Sequence, residues 1–142
     1  MSEKELIQTA QGFIDAFNRG DWEGCKALLT ANSVYDEVGT SRRVEGVDDI
    51  ISSLQGWKEA MPDTKGTVTN SFASGNTANL EVTWQGTHTG PLQTPAGVIE
   101  ATGKQQNTRS SFLMNIEGGK IKESRNYFDM LSIMQQLDIL PK

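Results

Sequence analysis

The stretch QQNTRSSFLMNIEGGKIKESRNYFDMLSIMQQLDIL, residues Gln105–Leu140, decides how the rest of the chain is read. Thr108–Ile116 and Lys120–Phe128 are strand-like runs. Glu117-Gly118-Gly119 joins them, and its two glycines reach positive φ at little cost, as a tight hairpin demands. After Asp129 the period changes: Leu131, Met134 and Leu137 recur at i, i+3 and i+6, the mark of a short apolar helix. A strand pair closed by a C-terminal helix, after a helix-rich N-terminal half, predicts a curved sheet wrapped around helices. A small-molecule pocket inside that wrap is the expected function.

Working back from there, Thr67–Phe72 and Thr77–His88 flank Ala73-Ser74-Gly75-Asn76, a hairpin signal. Ala78, Leu80, Val82 and Trp84 share one face of the second run and Asn79, Glu81, Thr83 and Gln85 the other, so a half-buried antiparallel strand is expected. Between it and the closing pair, residues 90–103 are rich in Gly and Pro and predict a long irregular connection, of the kind that forms pocket rims. In the N-terminal half, Ser2-Glu3-Lys4-Glu5 is a capping box. Leu6, Ile7, Ala10, Phe13, Ile14 and Phe17 then fall on one helical face, with Gly20 as its stop and Asp21 as the next N-cap. A second helix is expected over Trp22–Leu29, an extended piece over Val34–Val38, and a third helix from Gly46 to Met61, ahead of Pro62.

Composition excludes several function classes. One domain, residues 1–142, is expected for a chain of 142 residues. The net charge is −5 and the longest basic run is Arg42-Arg43, which argues against nucleic acid as a partner. No apolar run approaches a membrane span and the N-terminus MSEKELIQTA is polar, so no membrane association and a cytoplasmic location are expected. The single cysteine, Cys25, fits a reducing compartment. One His and one Cys cannot build a zinc site, and calcium-loop spacing is absent; no metal is expected. There is no phosphate-cradling loop, dinucleotide fingerprint or nucleophile elbow, so no cofactor is expected.

GTHTGPL at 86–92, GGKIKESRNYFD at 118–129 and LSIMQQL at 131–137, with FNRGDWEGCKALL at 17–29, resemble the SnoaL-like polyketide cyclase family. That family belongs to the larger nuclear-transport-factor-like group. The resemblance implies an α+β cone in which a curved, mainly antiparallel sheet wraps around N-terminal helices. It also implies a pocket inside the cone and a homodimer through the outer sheet face. Cyclases of the family are metal-free and use an aspartate, in a His-Arg-Asp segment of the last strand, to move a proton α to a carbonyl. Related proteins are isomerases, dehydratases and epoxide hydrolases. On this chain the segment reads Ser124-Arg125-Asn126, so the base position carries an amide without useful basicity. The family's supporting glutamine and histidine fall on Ser110 and Phe112.

Three readings of the chemistry follow. Another carboxylate could be the base: Asp129, otherwise the N-cap of the last helix, or Asp36 or Glu37, otherwise solvated charges at a loop edge. His88 could donate to a ligand or act as acid or base, or else be a hydrogen-bonded structural histidine. Or the pocket binds without catalysing, with Asn126 and Ser110 as its polar groups and Tyr35, Trp57, Phe112, Met114 and Phe128 as its apolar wall, unless those rings simply fill the core. The expected ligand is an apolar, oxygenated molecule such as a polyketide or terpenoid. Arg125 and Tyr127 would face outward, toward the dimer contact.

Overall fold

In the computed structural model, which describes residues 1–94 and 96–140, the capping box at the N-terminus is formed: Ser2 Oγ accepts from the Glu5 amide and Glu5 returns the bond. This starts α1 (Glu3–Arg19), which buries Leu6, Ala10, Phe13, Ile14 and Phe17 and stops at Gly20 in the left-handed region, φ 67°. Asp21 caps the short α2 (Trp22–Ala27) through the Gly24 amide. The second helix ends two residues earlier than its sequence suggests. Leu29 is drawn into β1 (Leu29–Glu37), where it pairs with Ile121, so a long-range ladder outbids local helix propensity. A 3₁₀ turn over Val38–Thr40 leads into β2 (Arg42–Glu45), and α2 and α3 (Val47–Ala60) pack against each other.

The remaining chain forms β3 (Lys65–Ser74), β4 (Thr77–Thr87), β5 (Leu92–Thr94), β6 (Gly97–Ile99), β7 (Gln105–Glu117), β8 (Lys120–Phe128) and α4 (Met130–Leu137). Gly118 and Gly119 both have positive φ, 60° and 79°, and turn β7 directly into β8. The main sheet runs β2-β1-β8-β7-β4-β3; every neighbouring pair is antiparallel except β1 with β8. The expected α+β architecture is therefore formed, a curved sheet with α1 laid against β3, β4 and β8 and α4 against β7. The connection over residues 90–103 is not wholly irregular: β5 and β6 form a separate two-stranded ribbon near α3.

Strand parity works as expected. Ala78, Leu80, Val82, Phe112, Met114 and Ile116 face the helices and join the main core. A second apolar cluster, Ala60, Met61, Leu92, Ile133 and Leu137, ties the end of α3 to the ribbon and to α4. Between the two clusters the packing is incomplete, and there the cavity lies.

Candidate functional site

A cavity of about 70 Å³ opens between α1, α3 and the inner face of β7 and β8. At roughly 10–15 Å³ per water it has room for about five to seven water-sized groups, the bulk of one small ring. Tyr35, Trp57, Phe112, Asn126 and Phe128, all expected at the site, line it. Tyr35 stacks on Phe112 (centroids 6.0 Å, 21° between planes) and Trp57 meets Phe128 edge-on at 6.3 Å. The polar lining is sparse: Asn126, Gln106, Thr108, Thr64 and the Tyr35 hydroxyl. Among the described residues, no carboxylate lines this cavity.

Four expected site residues lie elsewhere. Met114 sits in the main core, because the cavity lies over the start of β7 and Met114 is two residues past Phe112 toward the turn. Ser110 faces inward, but its hydroxyl is taken by Trp84 Nε1 at 2.9 Å, and it is Trp84 that reaches the lining. Asp129 is exposed and accepts from the Ser132 amide at 3.3 Å; its place is the N-cap of α4, not the cavity. His88 is fully buried outside the lining, with Nδ1 accepting from the Thr102 amide at 3.2 Å and lying 3.0 Å from its hydroxyl. That pairing leaves the ring N–H on Nε2, which has no partner.

The carboxylate that matters is Glu37. The expectation of a solvated loop-edge charge is overturned: Glu37 is 0% exposed. Its Oε1 accepts from Thr40 Oγ1 (2.6 Å) and Arg42 Nη2 (3.1 Å). Its Oε2 accepts from Tyr35 Oη and Trp57 Nε1, each at 3.0 Å. Arg and Trp can only donate, so both oxygens must act as acceptors. Gly39 makes the arrangement possible, since a Cβ there would stand 2.7 Å from the Phe128 ring and carbonyl and push the 3₁₀ turn, with Thr40, away. Parity along β1 was the available signal: Ser33, Tyr35 and Glu37 share its buried face.

The Glu37 carboxylate fixes the next two groups in order. Tyr35 gives its single proton to Glu37, so its oxygen can only receive from the cavity side, and Asn126 Nδ2 supplies that bond at 3.3 Å. Burial first, and then the Glu37 charge, push the Tyr35 phenol well above its ordinary range, so it keeps its proton and remains a donor. Asn126 Oδ1 is consequently turned away from Tyr35. It is buried and without a partner.

Trp57 also lines a second, larger concavity of about 790 Å³, bounded by α3, the β5–β6 ribbon and α4. Glu37, Arg42, Leu92, Ile99, Met130 and Met134 belong to this groove. The indole thus stands between an inner chamber and an outer groove, tethered to the carboxylate. Among the described residues no group of three His, Cys, Asp or Glu could hold a metal, and no helix is long and apolar enough to cross a membrane.

Comparison with known proteins agrees with this architecture. Over 98% of the chain, it superposes on 95% of a protein from Jannaschia sp. CCS1 described as a candidate SnoaL-like polyketide cyclase, with TM-score 0.86 and 18% identity. AclR of Streptomyces galilaeus, described as a candidate hydroxylase, matches with TM-score 0.83 and 21% identity over 99% of this chain and 100% of its own. An LEH-like epoxide hydrolase of M. tuberculosis matches with TM-score 0.73 and 19% identity, over 95% of this chain and 90% of its own. No curated protein matches the sequence. A model of the SnoaL-like polyketide cyclase family matches residues 7–137, and the chain belongs to that family.

Proposed function

We propose that this protein binds an apolar, oxygenated small molecule, polyketide- or terpenoid-like, with one ring in the inner chamber and the rest in the groove beyond Trp57. The supporting observation is the composition of the chamber: aromatic and aliphatic walls with few polar residues, among them Asn126, whose buried Oδ1 lacks a partner. Proton abstraction by residue 126 is not part of this reading, because an amide has no basicity to offer. A titration of the full-length protein with cyclic terpenoid alcohols and ketones, followed by the Trp57 indole N–H signal, tests it. Saturable shifts that disappear in Phe112→Trp, which fills the chamber, are expected; unshifted signals throughout would sink the proposal.

Acid/base turnover is a second reading, favoured by Glu37, a fully buried carboxyl group touching both Tyr35 and Trp57. It requires that Glu37→Gln abolish turnover of a bound substrate while leaving its affinity within a few fold.

We further propose a cytoplasmic location and a homodimer through the outer sheet face. Phe72 and Tyr127 are about half exposed there, at 55% and 46%. The register sets Phe72, Asn79, Leu113 and Arg125 in one row across β3, β4, β7 and β8, a low-charge strip suited to meeting its own copy.

A further inference from the structure

We infer that the chamber selects a ligand carrying a hydrogen-bond donor, an alcohol or phenol, over the corresponding ketone. The inference rests on the binding function proposed above and narrows its ligand class. Its basis is the direction of one chain of hydrogen bonds. Glu37, held by Arg42, Thr40 and Trp57, can only accept. It therefore orients the Tyr35 proton, and Tyr35 in turn orients the Asn126 amide. At each step the donor and acceptor ends are fixed by the step behind it. The group left at the end of the chain is a carbonyl oxygen, 92% buried by residue and unpartnered.

The two threonines around the chamber already spend their protons, and of Gln106 the carbonyl is taken while its Nε2 amide is, among the described residues, the one other donor left in the lining. Thr64 Oγ1 donates to the Met61 carbonyl at 2.6 Å and Thr108 Oγ1 to Gln106 Oε1 at 2.6 Å. A ligand hydroxyl meeting Asn126 Oδ1 would satisfy the orphaned acceptor. A ketone oxygen in the same place would leave two acceptors facing each other without a proton between them. Leaving a buried acceptor unsatisfied costs enough to separate the two ligands by about tenfold or more in affinity.

Cyclohexanol and cyclohexanone differ by two hydrogens and carry one small ring. Dissociation constants of both for the full-length protein, measured by nitrogen-15 NMR on the Trp57 indole and the Asn126 side-chain amide, form the test. Cyclohexanol is expected to bind about tenfold tighter. Asn126→Ala should erase the difference, and Tyr35→Phe, which frees the amide to turn its NH₂ inward, should shift the preference toward the ketone. The wild-type and Asn126→Ala comparison decides the matter if Tyr35→Phe does not fold. Equal affinities in the wild type, or a preference for cyclohexanol that survives Asn126→Ala, would overturn the donor requirement and leave the pocket itself standing. If neither compound moves the two signals, the binding function fails, and this inference with it.

Discussion

Glu37→Ala should be among the most damaging single substitutions in the protein. It orphans the buried Tyr35 hydroxyl and the part-buried Trp57 indole N–H. At about 1–3 kcal/mol for each unsatisfied buried group, that is about 2–6 kcal/mol. The Arg42 side chain is 45% exposed and can turn to water, so it adds little. Glu37→Gln should be milder, about 1–2 kcal/mol, because the amide oxygen can still serve Tyr35 and Trp57 while Thr40 reverses its hydroxyl. Asp36 lies next to it in sequence but on the other face of β1, and Asp36→Ala should stay within about 0.5 kcal/mol. Urea unfolding followed by circular dichroism separates these cases: with a slope of about 1–3 kcal/mol per molar, Glu37→Ala should lower the midpoint by about 2 M. If Glu37→Ala and Asp36→Ala unfold together, within about 1 kcal/mol of the parent protein, Glu37 is a solvated charge and the relay built on it does not exist.

Three further outcomes follow from the same geometry. Asn126→Asp places a second carboxylate beside the Tyr35–Glu37 pair, in a site where burial and like charge both raise its pKa above the unfolded value of about 3.9. Its stability deficit should therefore be small in acid and grow as pH rises, reaching about 2–4 kcal/mol near neutrality; a deficit independent of pH between 3 and 7 in thermal melts would contradict this. Cys25 is fully buried with Sγ 4.0 Å from the Phe13 carbonyl, and burial, aided by Asp21 and opposed by Arg19, raises its thiol to about 11. Ellman's reagent at neutral pH should find no reactive thiol until the protein is unfolded, and rapid labelling of the native chain would refute the placement. If the outer face is the dimer contact, Leu113→Glu or Tyr127→Glu should halve the mass seen by light scattering without loss of helix signal, whereas a parent protein already monomeric would remove that interface.

Much of the fold was legible because the signals were local. A capping box followed by period-3.6 apolar residues fixed α1, and two adjacent glycines fixed the β7–β8 turn. What stayed hidden depended on distant partners. The three-residue strands β5 and β6 and the four-residue β2 carry too little pattern to announce themselves; each exists because a neighbour completes its ladder. Alternation correctly put Ser110, Phe112 and Met114 on one inner face, yet parity gives a face and no depth. Packing decides which of the three reaches the hollow, and it chose Phe112. Glu37 was misjudged for a related reason. Its burial depends on Arg42 from the next strand and Trp57 from α3, and neither is visible in the five residues around it.

The amide at position 126 and the buried carboxylate at position 37 answer to a single constraint. β1 and β8 run in parallel with Glu37 and Asn126 as register partners, and both side chains converge on the Tyr35 phenol. A phenol has one proton to give and lone pairs to receive, so it can stand between a carboxylate and an amide with both bonds satisfied. Between two carboxylates it cannot, unless one of them holds an extra proton. This chain keeps its ion on β1, surrounded by donors, and presents a neutral group from β8. The charge therefore stands behind the chamber wall and sets the direction of the amide in front of it. A fixed neutral acceptor with a carboxylate for backing suits the recognition of a hydroxyl; for residue 126 itself to pull a proton from carbon, the ion would have to stand on the other strand.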